Sequence, residues 1–119
     1  TINNKNQLKN LFYLGYVSDD EAKLLMKECK AFIFPSIYEG FGIPPLEALA
    51  MGSQVICSNA VCLPEIFKDS VHYIDPYKHD INLNTLLSEK TEPAEKVLSL
   101  YSWEKTAEKT FEIICKYFN

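Results

Sequence analysis

The chain has 119 residues, 47% hydrophobic and 24% charged, which indicates one globular domain with room for a core and excludes a disordered, collagenous or coiled-coil protein. Its formal net charge is −4, and all 12 basic residues are lysines, so the clustered positive charge that a general nucleic-acid binder needs is not expected. The apolar runs are too short to span a membrane, and no signal-peptide pattern opens the chain.

The cysteines are Cys29, Cys57, Cys62 and Cys115, and their spacing contains no CxxC pair. Such spacing is typical of buried thiols in a reducing compartment, and we therefore expect a cytoplasmic protein. A metal site formed by Cys57, Cys62 and His72 is the alternative, because thiolates and imidazoles are common zinc ligands.

Apolar runs alternate with turn residues along the chain. The strands are predicted over 11–14, 31–34, 54–57 and 71–74. The helices are predicted from 18 to about 29, over 44–51, 64–67, 81–87 and 93–100, and from 102 to 117. Ser18 and Glu21 have the spacing of a capping box, and Gly52 has the place of a residue that ends a helix.

Strands that alternate with helices predict an α/β fold, a Rossmann-like parallel sheet with helices on both faces. Ligands of such sheets bind beyond the carboxyl ends of the strands, so the loops after positions 14, 34, 57 and 74 are candidate sites. The polar segment 1–9 is expected to be irregular, as in a chain entered midway through a domain.

The last predicted helix has one apolar stripe. Its members are Trp103, Ala107, Phe111, Ile114 and Phe118. Trp103 could stack on a sugar, but its place on the stripe favours packing in the core or against another domain.

The segment from 34 to 52 contains most of the functional signal. Gly40 and Gly42 flank Phe41, so the backbone is expected to take positive φ there and to approach a ligand closely. The helix that follows points its N-terminus at the same crevice and offers N–H groups to an anion. Glu39 precedes this helix and Glu47 is placed in its first turn, and carboxylates can accept hydrogen bonds from a vicinal diol. The alternative is a solvated Glu39 and a Glu47 that only favours the helix N-terminus.

The run Glu-Gly-Phe-Gly-Ile-Pro-Pro-Leu-Glu over 39–47 resembles the E-x7-E signature of retaining GT-B glycosyltransferases, specifically glycosyltransferase family 4. Further segments are similar to the family in order and spacing: 14–21, 34–39, 55–58, 63–65, 74–76 and 102–105. The resemblance covers about residues 11–110 and implies that 1–119 is a single, truncated C-terminal domain that binds a nucleotide sugar.

The resemblance also implies roles for individual residues. Glu47 would hold the ribose hydroxyls of the donor, and Glu39, as the catalytic residue, would hold hydroxyls of the transferred hexose near the reacting carbon. The loop Gly40, Phe41, Gly42 and Ile43 would bind the sugar and diphosphate, mainly through backbone N–H groups.

A second group of implied site residues directly follows the strand predicted over 11–14. Gly15, Tyr16 and Val17 would line the nucleobase pocket. Asp19 and Asp20 are interpreted as the start of a helix and not as metal ligands, because members of the family are generally metal-independent. No cofactor is therefore expected besides the nucleotide-diphosphate sugar, which is a substrate.

The family transfers its hexose with retention, and the acceptor attacks on the face that the nucleotide diphosphate leaves. The expected partners are a nucleotide-sugar donor and a glycan or lipid-linked acceptor, which a missing N-terminal domain would bind, and no nucleic acid. Peripheral attachment of the full-length enzyme to the cytoplasmic face of a membrane is compatible with such an acceptor. The family's basic diphosphate clamp lies earlier in the domain, so we expect the fragment to be inactive alone. A non-catalytic interaction or nucleotide-sensing module is the alternative.

The sequence leaves two interpretations for each of three polar residues near the predicted crevice. Glu65 is interpreted as a charge at a helix N-terminus, and Ser58 and Asn59 as turn residues, although each could touch a ligand.

Overall fold

Three short parallel strands form the sheet at the centre of the computed structural model, which describes residues 10–118. The strands are β1 (Phe32–Phe34), β2 (Val55–Ser58) and β3 (His72–Ile74), and they lie side by side in chain order. Ile33 is opposite Ile56, and Ile56 is opposite His72. The predicted α/β class with a parallel sheet is confirmed.

Helices occupy most of the connections between these strands and the chain after β3. They are α1 (Asp19–Glu28), α2 (Ile43–Ala50), α3 (Leu63–Phe67), α4 (Leu83–Ser88), α5 (Glu95–Leu98) and α6 (Trp103–Phe118). From position 18 onward the predicted helices and strands are confirmed, with ends that differ by one or two residues. The segment 1–9, expected to be irregular, lies outside the described residues.

The central strand is buried on both of its faces, as expected for a covered parallel sheet. Val55 and Cys57 point to one face and pack in the main core. The core residues contributed by α2, α3 and α5 are Ala48, Leu49, Leu63, Ile66, Phe67 and Val97. Ile56 and Ser58 point to the other face, and both are 0% exposed. Burying a side chain of the size of Phe67 contributes about 1.5–3 kcal/mol to the free energy of unfolding.

The strand predicted over 11–14 is wrong, because these residues are irregular in the structure. A β-strand exists only where a neighbour pairs with its backbone groups, and within residues 10–118 β1 pairs with β2 alone. The four side chains are exposed, from 58% for Leu11 to 89% for Tyr13. Apolar composition therefore predicted a strand for which the described chain has no partner strand.

The stripe of α6 is helical as predicted, but it is not packed in the core of the described residues. Trp103 is 80% exposed and Phe118 84%. The core placement of Trp103 is therefore wrong, whereas its packing against another domain stays a prediction.

The four thiols are all free, and they differ in burial. Cys57 is buried, whereas Cys29, Cys62 and Cys115 are half-buried, so the expectation of four buried thiols is wrong for three of them. Burial raises the pKa of the Cys57 thiol to about 12, which keeps it protonated and unreactive.

Candidate functional site

The loop of residues 35–42 joins the carboxyl end of β1 to α2 and contains Glu39. The next connection, from β2 to α3, begins at the same edge of the sheet because the strands are parallel. The two connections touch: the thiol Sγ of Cys62 lies 3.1 Å from the backbone oxygen of Glu39. Glu39 is half-buried there. Because its loop follows the carboxyl end of β1, Glu39 lies at the edge where parallel sheets bind ligands.

Gly42 is the residue on which α2 starts, and two constraints require a glycine there. Its φ is +95°, a left-handed conformation that L residues rarely adopt. A Cβ at this position would lie 2.8 Å from Cδ2 of Leu63 and 3.2 Å from Cε2 of Phe67. The start of α2 therefore packs directly on α3, at a distance that leaves no space for a side chain.

Gly40 differs from Gly42. Its φ is not positive, and a Cβ built on it would meet nothing within 4 Å. The expectation of positive φ at both glycines is therefore wrong for Gly40. Only the second glycine fixes the turn into α2.

The first turn of α2 consists of Ile43, Pro44 and Pro45, so the two prolines stand at the helix start as predicted. Proline has no N–H, and the N–H of Leu46 lies 3.4 Å from the Gly42 oxygen as the first helical hydrogen bond. The donors left at the helix start are thus the N–H groups of Gly42 and Ile43. These belong to the residues that were predicted to offer backbone N–H groups.

Phe41 carries the other predicted N–H group, and its side chain has a packing role. Its ring meets that of Tyr101 edge to face, with centroids 5.0 Å apart and planes at 90°. It also packs against the main core. The ring therefore anchors the loop between Glu39 and α2.

Glu47 is exposed and lies in the second turn of α2, not in the first as predicted, because the helix already begins at Ile43. The field of a helix terminus decays within one turn. An electrostatic effect on the helix N-terminus is therefore a weaker reason for a glutamate at this position than the sequence indicated.

The irregular segment that precedes α1 contains Gly15, Tyr16 and Val17. It is separated in sequence from the loop and helix that contain residues 39–47. Gly15 has a φ of +70°, and Tyr16 is 95% exposed. The described residues do not enclose Tyr16, so the nucleobase pocket stays a prediction.

Two side chains that contact Glu39 were not identified as site residues from the sequence. Ser36 Oγ donates to Glu39 Oε1 at 2.8 Å, and the Cys62 thiol donates to the Glu39 oxygen. A serine three residues before a glutamate is a weak local signal for the first contact. The second joins positions 23 residues apart, and no local pattern announces it.

The remaining polar candidates have structural surroundings. Ser58 is buried and donates its hydroxyl to the backbone oxygen of Ser36. The N–H of Asn59 donates to the Ile74 oxygen at 2.8 Å. Glu65 is exposed in the first turn of α3, where a carboxylate favours the helix N-terminus.

A cavity of about 130 Å³ lies at the opposite edge of the sheet, near the amino ends of β2 and β3. Gln54, Ser70 and His72 line it, and none of the residues assigned to the donor site does. Ligand pockets typically measure about 300–1,000 Å³, so this cavity is too small for a nucleotide sugar. The carboxyl edge remains the candidate site.

Within residues 10–118 no three side chains of His, Cys, Asp or Glu gather in a way that could hold a metal ion. The register explains why Cys57 and His72 do not share one: His72 is opposite Ile56 and therefore points to the other face from Cys57. The described helices also include none that is long and apolar enough to cross a membrane.

The parallel sheet, the helices in its connections and the glycine-containing loop at its carboxyl edge define a Rossmann-like α/β protein. The chain belongs to the glycosyl transferases group 1 family, whose model matches residues 1–105.

Curated relatives are similar to parts of the chain. O-antigen chain mannosyltransferase B of Escherichia coli is 47% identical over 64 residues, which are 54% of this chain and 17% of that protein. O-antigen chain mannosyltransferase RfbU of Salmonella typhimurium is 41% identical over 64 residues, 54% of this chain and 18% of that protein. Uncharacterized glycosyltransferase MJ1607 of Methanocaldococcus jannaschii is 32% identical over 113 residues, 85% of this chain and 29% of that protein.

The chain thus spans less than a third of the length of each of these relatives. No solved structure matches it significantly.

Proposed function

We propose that this chain is the donor-binding part of a retaining, nucleotide-sugar-dependent glycosyltransferase. Membership in the glycosyl transferases group 1 family supports the reaction class. The observation that carries the donor-binding role is the segment 39–47, which leads from the carboxyl end of β1 through a glycine turn into α2.

The proposed donor carries mannose. Support comes from the Escherichia coli and Salmonella typhimurium relatives, both of which are named as O-antigen chain mannosyltransferases. Their similarity to this chain includes 54% of its residues. The proposed acceptor is a glycan or a lipid-linked glycan, which parts of a longer protein outside this chain would hold.

In the proposed mechanism the chain supplies positioning and electrostatic stabilisation. Glu47 accepts hydrogen bonds from the ribose hydroxyls, and Glu39 accepts them from the hexose near its reacting carbon. The N–H groups of Gly42 and Ile43, at the positive end of α2, stabilise the negative charge that develops on the leaving diphosphate. Holding donor and acceptor in a fixed orientation is a principal source of rate acceleration in bimolecular group transfer.

We also propose the stereochemistry and the location of the transfer. Transfer proceeds with retention and without a metal ion, in the cytoplasm or at the cytoplasmic face of a membrane. The diphosphate clamp and the acceptor site lie outside this chain, so the chain alone does not turn over.

Donor binding is tested with the longest natural polypeptide that contains this chain. Saturation-transfer NMR would compare GDP-, UDP- and ADP-mannose, first with the unchanged protein and then with Glu47→Gln. We expect one nucleotide to bind and the variant to lose about tenfold or more in affinity, because a hydrogen bond to a charged group contributes about 1.5–3 kcal/mol. Glu28→Gln, an exposed glutamate at the end of α1, is the matched control.

Equal binding by Glu47→Gln and the unchanged protein would contradict the assigned role of Glu47. Transfer is measured separately, with Glu39→Gln, by release of the nucleoside diphosphate. We expect the rate to fall at least tenfold while donor affinity changes less, since Glu39 is assigned to the hexose and not to the nucleotide.

A further inference from the structure

The carboxylate of Glu39 is held by a neighbour on its own loop. Ser36 Oγ lies 2.8 Å from Glu39 Oε1 and 3.3 Å from the backbone oxygen of Tyr38. A hydroxyl has one proton to donate, and the shorter contact to a charged oxygen is the stronger of the two. The Ser36 proton therefore points at the Glu39 carboxylate.

The backbone of the same loop is held from two neighbouring elements. Ser58, the last residue of β2, is 0% exposed and donates to the backbone oxygen of Ser36. Cys62 stands at the start of α3 and donates its thiol to the backbone oxygen of Glu39 at 3.1 Å. The sheet and α3 thus fix both ends of the segment 36–39.

The turn that presents Cys62 has an unusual backbone. Val61 has a φ of +51°, which is rare for a β-branched residue. Strained positions of this kind persist where the surrounding structure enforces them, and they are common at functional sites. Here the turn places the Cys62 thiol on the Glu39 loop.

We propose that Ser36 is a positioning residue that directs the Glu39 carboxylate toward the hexose, while Ser58 and Cys62 fix the loop that carries both. The inference rests on the proposed role of Glu39. A carboxylate has about four acceptor sites. Ser36 uses one of them and leaves the others free for sugar hydroxyls in a fixed direction.

A free glutamate side chain samples several rotamers, and a misdirected carboxylate loses interactions made in the transition state. In the longest natural polypeptide that contains this chain, we expect Ser36→Ala to lower kcat about tenfold with a small change in the donor KM. Ser36→Thr keeps the hydroxyl and should recover most of kcat. Ser88→Ala removes an exposed helix hydroxyl on α4 and should leave both constants unchanged.

A double-mutant cycle shows whether Ser36 acts through Glu39. If it does, Ser36→Ala has no further effect on kcat in a Glu39→Gln background. Additive losses, or an unchanged kcat in Ser36→Ala, would overturn this inference and leave the role of Glu39 intact. Full activity of Glu39→Gln would overturn the proposed role of Glu39 and this inference with it.

Cys62 provides a second test from a different element. It tests whether fixing the Glu39 loop affects kcat, and it can be made even if Ser36→Ala folds poorly. Cys62→Ala removes the donor to the Glu39 backbone, whereas Cys62→Ser keeps one. We expect the alanine variant to lower kcat about threefold at an unchanged donor KM and the serine variant to retain it. Equal kcat in both variants would contradict the proposal that the hydrogen bond from Cys62 to the Glu39 backbone fixes the loop.

Discussion

At the residue scale, Gly42 combines two requirements that are usually found apart. Its left-handed φ of +95° excludes most side chains by backbone sterics, and the nearby Leu63 and Phe67 exclude them by packing. Gly42 thus sets the distance between the start of α2 and α3. The stability of the fold and the shape of the candidate site therefore both depend on the close packing of Gly42 against Leu63 and Phe67.

We expect Gly42→Ala to lower the free energy of unfolding by about 2–4 kcal/mol, of which about 1–2 kcal/mol comes from the left-handed backbone and the rest from overpacking. Gly40→Ala is the matched control, because its Cβ would stand in open space. It should change stability by less than about 1 kcal/mol. Urea unfolding of both variants measures the difference, and equal midpoints would contradict the packing argument.

At the element scale, α1 contains no fully buried residue, although Met26 packs against the main core, so its capped N-terminus is a principal local support. Ser18 Oγ accepts from the Glu21 N–H, and Glu21 Oε2 accepts from the Ser18 N–H at 2.8 Å. These are the two reciprocal bonds of a capping box. The hydrogen bonds from the Ser18 backbone and then from its side chain lower the pKa of Glu21 below its ordinary value of 4.5.

A lowered pKa in the folded chain means that the ionised carboxylate stabilises α1. This contribution is fully present above about pH 4.5 and is lost as the pH falls through the lowered pKa of Glu21. We expect the amide protection of α1, followed by hydrogen exchange from pH 6 to pH 3, to decrease at the acid end. In Glu21→Gln this step should be absent, and its persistence would assign it to another group.

The capping box also shows what can be predicted from a sequence. Its partners are three residues apart, so local spacing was sufficient to predict Ser18 as the N-cap of α1. The hydrogen bonds of Ser58 and Cys62 to the Glu39 loop span 22 and 23 residues, and only the folded sheet brings them together. The strand predicted over 11–14 failed for the same reason, because pairing depends on a distant neighbour. Glu39 and the two glycines of the loop could be proposed as site residues from the sequence, but the side chains that hold the loop in place could not.

At the scale of the whole molecule, the described residues expose apolar side chains on the segment 11–16 and along α6. The described chain measures 63 × 32 × 26 Å, and its radius of gyration of 17.4 Å exceeds the about 13 Å of a compact domain of this length. The stripe of α6 is exposed, with Phe111 at 67% and Ile114 at 49%. Exposed apolar stripes of this kind cause association in water, because burying them releases free energy in proportion to their area.

We therefore expect the isolated 13.6 kDa chain to associate reversibly as its concentration rises from about 5 to about 200 μM, because contact between stripes removes the rings of α6 from water. Sedimentation velocity measures the average mass. Phe111→Lys combined with Ile114→Glu should keep the chain monomeric, since each places a charge on the stripe. The control is Glu108→Lys combined with Lys109→Glu, which exchanges exposed charges of the same helix outside the stripe. A monomer at every concentration, or equal association of both double variants, would show that the α6 stripe does not drive contact.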